Sequence, residues 1–202
     1  YGPSATRYQR VNTATDYDTS GFPVYLKFDG VDDYLSLPYM GLYANGSASV
    51  VTASALLRQA TGACTISEGN TADADSLYCM TRQLASGGNL DSVIVRDDAT
   101  VLLDTAGTAS ALADGAVSVR DFVDTGSGIK LFKNSGQLTS DAYARSGTVT
   151  LNNTTIGAKV GTAAALFNNL MLYGIIITKS ALSDADRRKC EVYLGRKAGV
   201  QL

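Results

Sequence analysis

No histidine occurs anywhere in this sequence, and that single absence removes two large classes of chemistry. The commonest general base is missing, so Ser-His-Asp and Cys-His arrangements cannot be assembled. The usual structural zinc sites need four Cys or His ligands in close pairs, and the three cysteines present, Cys64, Cys79 and Cys190, are too widely spaced to supply them. Three cysteines are also too few for the disulfide framework of a small secreted scaffold. Glutamate is scarce as well, with Glu68 and Glu191 the only two. Glycosidic hydrolysis normally sets two carboxylates on either side of the scissile bond, and nothing in the sequence aligns such a pair.

Charge is sparse at 18% of residues, with a formal net charge of -2 and a pI near 5.0. A binder of nucleic acid by charge needs a basic face to displace counterions from phosphates, and no basic patch interleaved with aromatics is present. No apolar run approaches the ~20 residues that span a bilayer. The first residues are polar, not a charged start followed by an apolar stretch. What is present is apolar material, 45% of residues, enough for a core and too much for a disordered chain.

A chain of 202 residues fits one all-β domain. The stretch to Gly21 is rich in Thr, Asp, Ser and Tyr without periodicity, so residues 1–21 read as a connector from a longer parent chain and residues 22–202 as the domain. From Pro23 onward short runs alternate with period two between Gly, Asn, Asp and Ser clusters, the pattern of antiparallel strands with one buried face. Val24, Leu26 and Phe28 alternate with Tyr25 and Lys27. Val51, Ala53, Ala55 and Leu57 form a longer strand, and Val117, Val119 and Val123 alternate with Ser118, Arg120 and Asp124. Ile129 to Lys133 followed by Asn134-Ser135-Gly136 reads as a hairpin, because Asn and Gly tolerate the positive φ of a tight turn. Leu170 to Ile177 is apolar on both parities, which predicts a central strand covered on both faces.

One helix is predicted, over residues 183–198. Ser183 caps it, Asp184 and Asp186 stand in its first turn, basic residues follow toward its end, and Gly199 ends it. Leu182, Cys190, Tyr193, Leu194 and Ala198 share a face that should dock on the sheet, while Arg187-Arg188-Lys189 reads as a solvated face. The fold class is therefore all-β, an antiparallel β-sandwich with one C-terminal α-helix.

Three stretches carry a family resemblance. Phe28-Asp29-Gly30-Val31-Asp32-Asp33-Tyr34-Leu35 is similar to the opening strand and turn of laminin G-like, concanavalin A-like lectin/glucanase domains. Ile129-Lys130-Leu131-Phe132-Lys133-Asn134-Ser135-Gly136 resembles their later hairpin. Ala181 to Arg188 with Tyr193-Leu194-Gly195-Arg196-Lys197 resembles the terminal helix of such domains in bacteriophage structural proteins. The resemblance implies a jelly roll that binds sugars or protein surfaces at a phage tail or virion surface, and it implies no chemistry, since the Glu-x-Asp-x-(x)-Glu strand of the glucanases is absent here.

Stacking on sugars prefers aromatic faces, and among 11 tyrosines the best placed are Tyr39 and Tyr43, in a Pro-Tyr-Met-Gly-Leu-Tyr loop. They are the candidate ligand-binding residues; partly buried structural tyrosines are the plain alternative. Asn70, Asp73 and Asp75 offer oxygens of the kind calcium takes, or form an ordinary solvated hairpin loop, and Asp32 and Asp33 read as turn formers. No catalytic residue and no other cofactor is expected. The functional expectation is a non-catalytic binding module of a phage virion protein, such as a tail fibre, spike or adhesin, that recognises a host-surface glycan. The rivals are a capsid-decoration or tail-assembly domain binding other virion proteins, and a glycosidase or esterase with an unfamiliar site. Nucleic-acid and membrane partners are not expected, and any homo-oligomer would form through the parent protein. A hairpin folded midway between residues 71 and 72 sets Cys64 opposite Cys79. If the protein folds in the reducing cytoplasm of a phage host, both should be buried thiols rather than a disulfide.

Overall fold

The computed structural model describes residues 9–10, 24–56, 63–83, 92–97, 100–105 and 115–202. In chain order the described strands are β1 (Gln9–Arg10), β2 (Val24–Asp29), β3 (Leu35–Leu37), β4 (Ala48–Leu56), β5 (Ala63–Asn70), β6 (Asp73–Gln83), β7 (Val93–Asp97) and β8 (Thr100–Asp104). They continue with β9 (Val117–Asp124), β10 (Gly128–Lys133), β11 (Gly136–Ala142), β12 (Asn153–Ile156), β13 (Lys159–Val160), β14 (Ala164–Ala165) and β15 (Asn169–Thr178), and a helix, α1 (Asp184–Ala198), closes the order. One sheet has seven strands in the order β1-β2-β15-β4-β9-β10-β11, a second has six in the order β3-β12-β5-β6-β7-β8, and β13 pairs with β14. Phe28, Val50, Phe122 and Leu170 of the first sheet meet Ile66, Tyr78, Met80, Val93 and Ile156 of the second in one core. This is the antiparallel sandwich that the period-two runs require. Strand β1 lies inside the segment read as a connector and pairs with β2, Gln9 opposite Tyr25; Leu57 lies outside the described residues.

The run from Leu170 to Ile177 is the central strand expected, paired with β2 on one side and β4 on the other. A register shift between Leu172 and Gly174 reverses its parity midway. Leu170 and Leu172 before it, and Ile175 and Ile177 after it, therefore all face the core, whereas Tyr173 and Ile176 face the helix. The hairpin β10–β11 turns through Asn134 at φ 44° and Ser135 at φ 73°, so the two central residues bear the positive φ and Gly136 opens the next strand opposite Lys133.

Helix α1 packs on the outer face of the seven-stranded sheet, Leu194 and Ala198 against Val51, Ala53 and Val119. That second layer explains why every residue of β4 is buried. The expected caps are in place, Ser183 accepting from Asp186 N at 3.2 Å and Gly199 in the left-handed region at φ 74°. The inward face differs from the expected one in two respects. Tyr193 is 55% exposed, and Arg187, read as solvated, is buried together with Glu191. The cause is Asp121 on β9: Arg187 Nη1 meets its carboxylate at 2.8 Å and the Glu191 carboxylate at 2.5 Å, while the guanidinium lies 3.7 Å over the Phe132 ring. An ionic partner on the sheet turns the helix so that residues 187, 191, 194 and 198 point inward.

The β5–β6 hairpin turns at the expected place, with Asn70 opposite Asp73, but a register shift between Gly69 and Asn70 then carries the ladder three residues along, so Gly69 faces Leu77 and Ser67 faces Cys79. Asp73 stabilises the displaced residues by accepting from Asp75 N at 2.9 Å and from Ser76 N at 3.1 Å. Cys64 therefore lies opposite Arg82, not Cys79. The two cysteines are nonetheless joined as a disulfide with Cα atoms 6.1 Å apart, which corrects the expectation of two reduced thiols. With Leu77 and Ile94 they form a small cluster, against which Leu166 packs.

Candidate functional site

β3 ends with Leu37 opposite Thr154 of β12, and the chain then crosses from the six-stranded sheet to the seven-stranded one. The crossing segment, residues 38–47, closes one end of the sandwich. Leu42 and Tyr43 enter the core, and Glu68 on β5 secures them, Oε1 accepting from Leu42 N at 2.8 Å and Oε2 from Tyr43 N at 2.9 Å. Thr154 adds a second tie, donating to Glu68 Oε1 at 3.2 Å and accepting from Met40 N at 2.9 Å. Burial pushes the Glu68 carboxyl above its ordinary value, opposed by these donors.

The loop brings Tyr39 to the surface, 42% exposed. Gly41 beside it stands at φ 66°, the left-handed region that favours glycine, and a Cβ there would meet the Tyr39 ring carbons in ordinary contact at 3.7 Å. Burial on that side, followed by the Glu68 charge, raises the phenol pKa. Tyr43, the other candidate, is 5% exposed. Its hydroxyl donates to Ser146 O at 3.1 Å and accepts from Ser146 N at 3.0 Å, and its ring meets Tyr78 edge-on at 5.3 Å. Tyr43 is thus a core residue supporting the loop, and of the two tyrosines Tyr39 alone offers a broad face.

Behind the loop lies a buried polar knot. Asp124 Oδ2 accepts from Tyr78 OH at 2.5 Å, from Tyr143 OH at 2.9 Å and from Arg145 Nη2, while Oδ1 accepts from Gly126 N at 2.7 Å. Arg145 stacks 4.5 Å from the Tyr43 ring centre and donates to the Tyr43 carbonyl. Burial, then the Asp124 charge, lifts the phenols of Tyr78 and Tyr143 well above their usual range. The connection from β11 to β12 continues along the same end of the molecule: Ser146 Oγ donates to Asp97 Oδ2 at 2.7 Å, and Asn70 Nδ2 donates to Thr150 Oγ1 at 3.1 Å. Thr148 Oγ1 also donates to Asp97 Oδ2, and the two hydroxyls, Thr148 first and Ser146 second, hold the Asp97 carboxyl below its ordinary value.

Asn70 and Asp73 share this rim with Tyr39. Asn70 Oδ1 accepts from Ala72 N at 2.9 Å, and Asn152 Nδ2 donates to Thr71 Oγ1 at 2.9 Å. Both oxygens of Asp73 serve its own loop, and its carboxyl is lowered mainly by the Ser76 hydroxyl. Asp75 is exposed beside it. Asn70 and Asp73 thus help to build the hairpin tip with their side-chain oxygens. Among the described residues, the one convergence of three carboxylates within 4.8 Å is Asp29, Asp32 and Asp33. It belongs to the opposite end, where Asp29 pairs with Asn169 and Leu170 with Leu56. Asp29 Oδ1 accepts there from Val31 N at 2.8 Å, an Asx turn made by Asp29, and Asp33, one of the two residues read as turn formers, closes it by accepting from Asp29 N at 3.2 Å.

Tyr39 and the hairpin tip were marked in the sequence as candidates, whereas Glu68, Arg145 and residues 146–152, which the fold brings to the same end, were not. Glu68 did carry a signal: it falls on the parity of Ile66, where an inward-facing strand calls for an apolar residue.

The architecture is a two-sheet jelly-roll sandwich with a polar, loop-built rim at one end. The sequence matches no protein-family model, and no curated protein is significantly similar to it. Among solved structures, the CBM40 domain of the Ruminococcus gnavus IT-sialidase superposes with a TM-score of 0.64 at 13% identity, over 93% of this chain and 100% of its own. The same domain bound to alpha2,3 sialyllactose gives 0.63 at 12%, again over 93% of this chain and 100% of its own. A variant of the NanB sialidase of Streptococcus pneumoniae gives 0.62 at 12% identity over 80% of this chain, which spans 26% of that enzyme's length. A heptameric pentraxin of Limulus polyphemus gives 0.59 at 12%, with 82% of this chain and 80% of its own covered. At these identities the likeness establishes the fold.

Proposed function

We propose that this protein is a non-catalytic carbohydrate-binding module that holds a glycan on the rim around Tyr39 and needs no cofactor to do so. The observation that carries the reading is Tyr39 itself, a 42% exposed ring beside Gly41 on a loop tied down at Met40, Leu42 and Tyr43. A sugar offers an apolar C–H face to stack on such a ring and hydroxyls that pair with amides, here those of Asn70 and Asn152. The sialyllactose complex of the R. gnavus domain supports a sugar ligand for a sandwich of this shape. Jelly rolls also host glycosidases, but both glutamates here are buried, and Glu68 is occupied with main-chain donors, which supports binding without cleavage. The resemblance of residues 181–188 and 193–197 to the terminal helix of such domains in bacteriophage structural proteins supports a place in a virion protein, a tail fibre, spike or adhesin, acting on a host-surface glycan.

The test is a glycan array probed with the purified domain, followed by incubation of each ligand with the protein. The reading expects saturable binding to at least one glycan class and no new reducing ends. An array without a single saturable hit contradicts it, as does cleavage that survives repurification.

A further inference from the structure

We propose that Glu68 is a positioning residue of the Tyr39 site, and that only a carboxylate of its length can hold the loop in the shape that presents the ring. This rests on the reading of the rim as a glycan site.

Three hydrogen-bond donors converge on the Glu68 side chain: Leu42 N–H and Thr154 O–H on one oxygen, Tyr43 N–H on the other. None of the ion pairs among the described residues involves it. Burying a carboxylate without a countercharge is costly, so its place between two sheets calls for a task that a neutral side chain cannot perform. Glutamine has one acceptor oxygen. Its amide NH2 would face either Leu42 N–H or Tyr43 N–H, donor against donor, and leave a buried main-chain donor unsatisfied. Aspartate, one methylene shorter, would not span the gap from β5. The two main-chain bonds fall on Leu42 and Tyr43, the consecutive residues that follow Gly41 in a loop with no strand partner of its own. Loss of the carboxylate should therefore untie the platform while the strand that carries residue 68 keeps its place in the sheet, between β12 and β6.

The experiment compares wild type, Glu68→Gln and Ile66→Val by amide hydrogen exchange and by affinity for the best glycan from the array. Ile66→Val is the control for a loss of core packing unconnected with the loop. In Glu68→Gln, exchange at Leu42 and Tyr43 should quicken about 10- to 100-fold and affinity should fall about tenfold or more. Ile66→Val should leave both unchanged. Unaltered exchange in Glu68→Gln overturns the clamp, and quickened exchange with unaltered affinity overturns its service to the site. Should Glu68→Gln not fold, Thr154→Val removes one donor from Glu68 and the acceptor of Met40; faster exchange at Met40 with weaker binding is then expected, and exchange or affinity equal to wild type overturns the proposal. If wild type binds no glycan, the reading of the site fails, while the exchange data still decide whether Glu68 holds the loop.

Discussion

Arg187 approaches Asp121 at 2.8 Å from the helix while Glu191 lies against the same guanidinium, and Ser135 Oγ reaches Glu191 at 2.9 Å. Two carboxylates buried around one buried guanidinium cannot both be ionised cheaply. Burial, with Glu191 beside it, pushes the Asp121 carboxyl up to about 8 from 3.8. The folded state therefore holds the Asp121 proton more tightly than the unfolded chain does. The stability tied to that proton is complete at or below pH 3.8, the unfolded value, and is lost as pH rises toward 8. Burial raises Glu68 as well, which acts with the same sign. The melting temperature should thus decline between pH 4 and pH 8 on this account, and Asp121→Asn should flatten the decline; an equally steep profile in that variant contradicts the assignment. Neither buried pair was legible in the sequence. A charged residue on a helix or strand reads as solvated until its partner, here 66 positions away along the chain, is known.

At the scale of elements, helix α1 depends on few apolar side chains. Leu194 is buried against Val51 and Val119, and Gly174 on β15 leaves room for it, since a Cβ there would come within 2.8 Å of Leu194 Cδ2. Leu194→Ala should cost about 2–5 kcal/mol in urea unfolding, and truncation after Lys179 should lower the melting temperature sharply. A truncated domain that melts like the full chain would show that the helix is an appendage. The helix ends were readable, because Ser183, Asp184, Asp186 and Gly199 act through their own backbone within one turn. Its inward face was not, because an apolar ranking favoured Tyr193 where the ionic contact with Asp121 selects Arg187 and Glu191. Likewise the Asn134-Ser135 hairpin was local and legible. The three-residue slip after Gly69 was not, since it depends on Asp73 drawing the amides of Asp75 and Ser76 out of the ladder.

For the whole molecule, the Cys64–Cys79 disulfide closes a separation of 15 residues within the six-stranded sheet. Replacing both with serine, or unfolding in reductant, should lower stability by about 3 kcal/mol; equal denaturation midpoints with and without reductant contradict that. The sandwich was legible from period-two runs because alternation reports one buried face at a time. The rim was legible only at Tyr39 and the hairpin tip, because it is assembled from loops that have no period and meet only in the folded chain. That division leaves a rigid scaffold with its ties concentrated at one end, where Glu68, Thr154 and Asp124 fix the loops around a single open ring. The central claim is that this ring grips a sugar. Titration of the best array glycan into wild type and Tyr39→Ala, with circular dichroism and melting to show that both are folded, tests it most directly. The account predicts saturable binding by wild type and a loss of roughly tenfold or more in Tyr39→Ala at unchanged stability; equal affinity in the two proteins would contradict it.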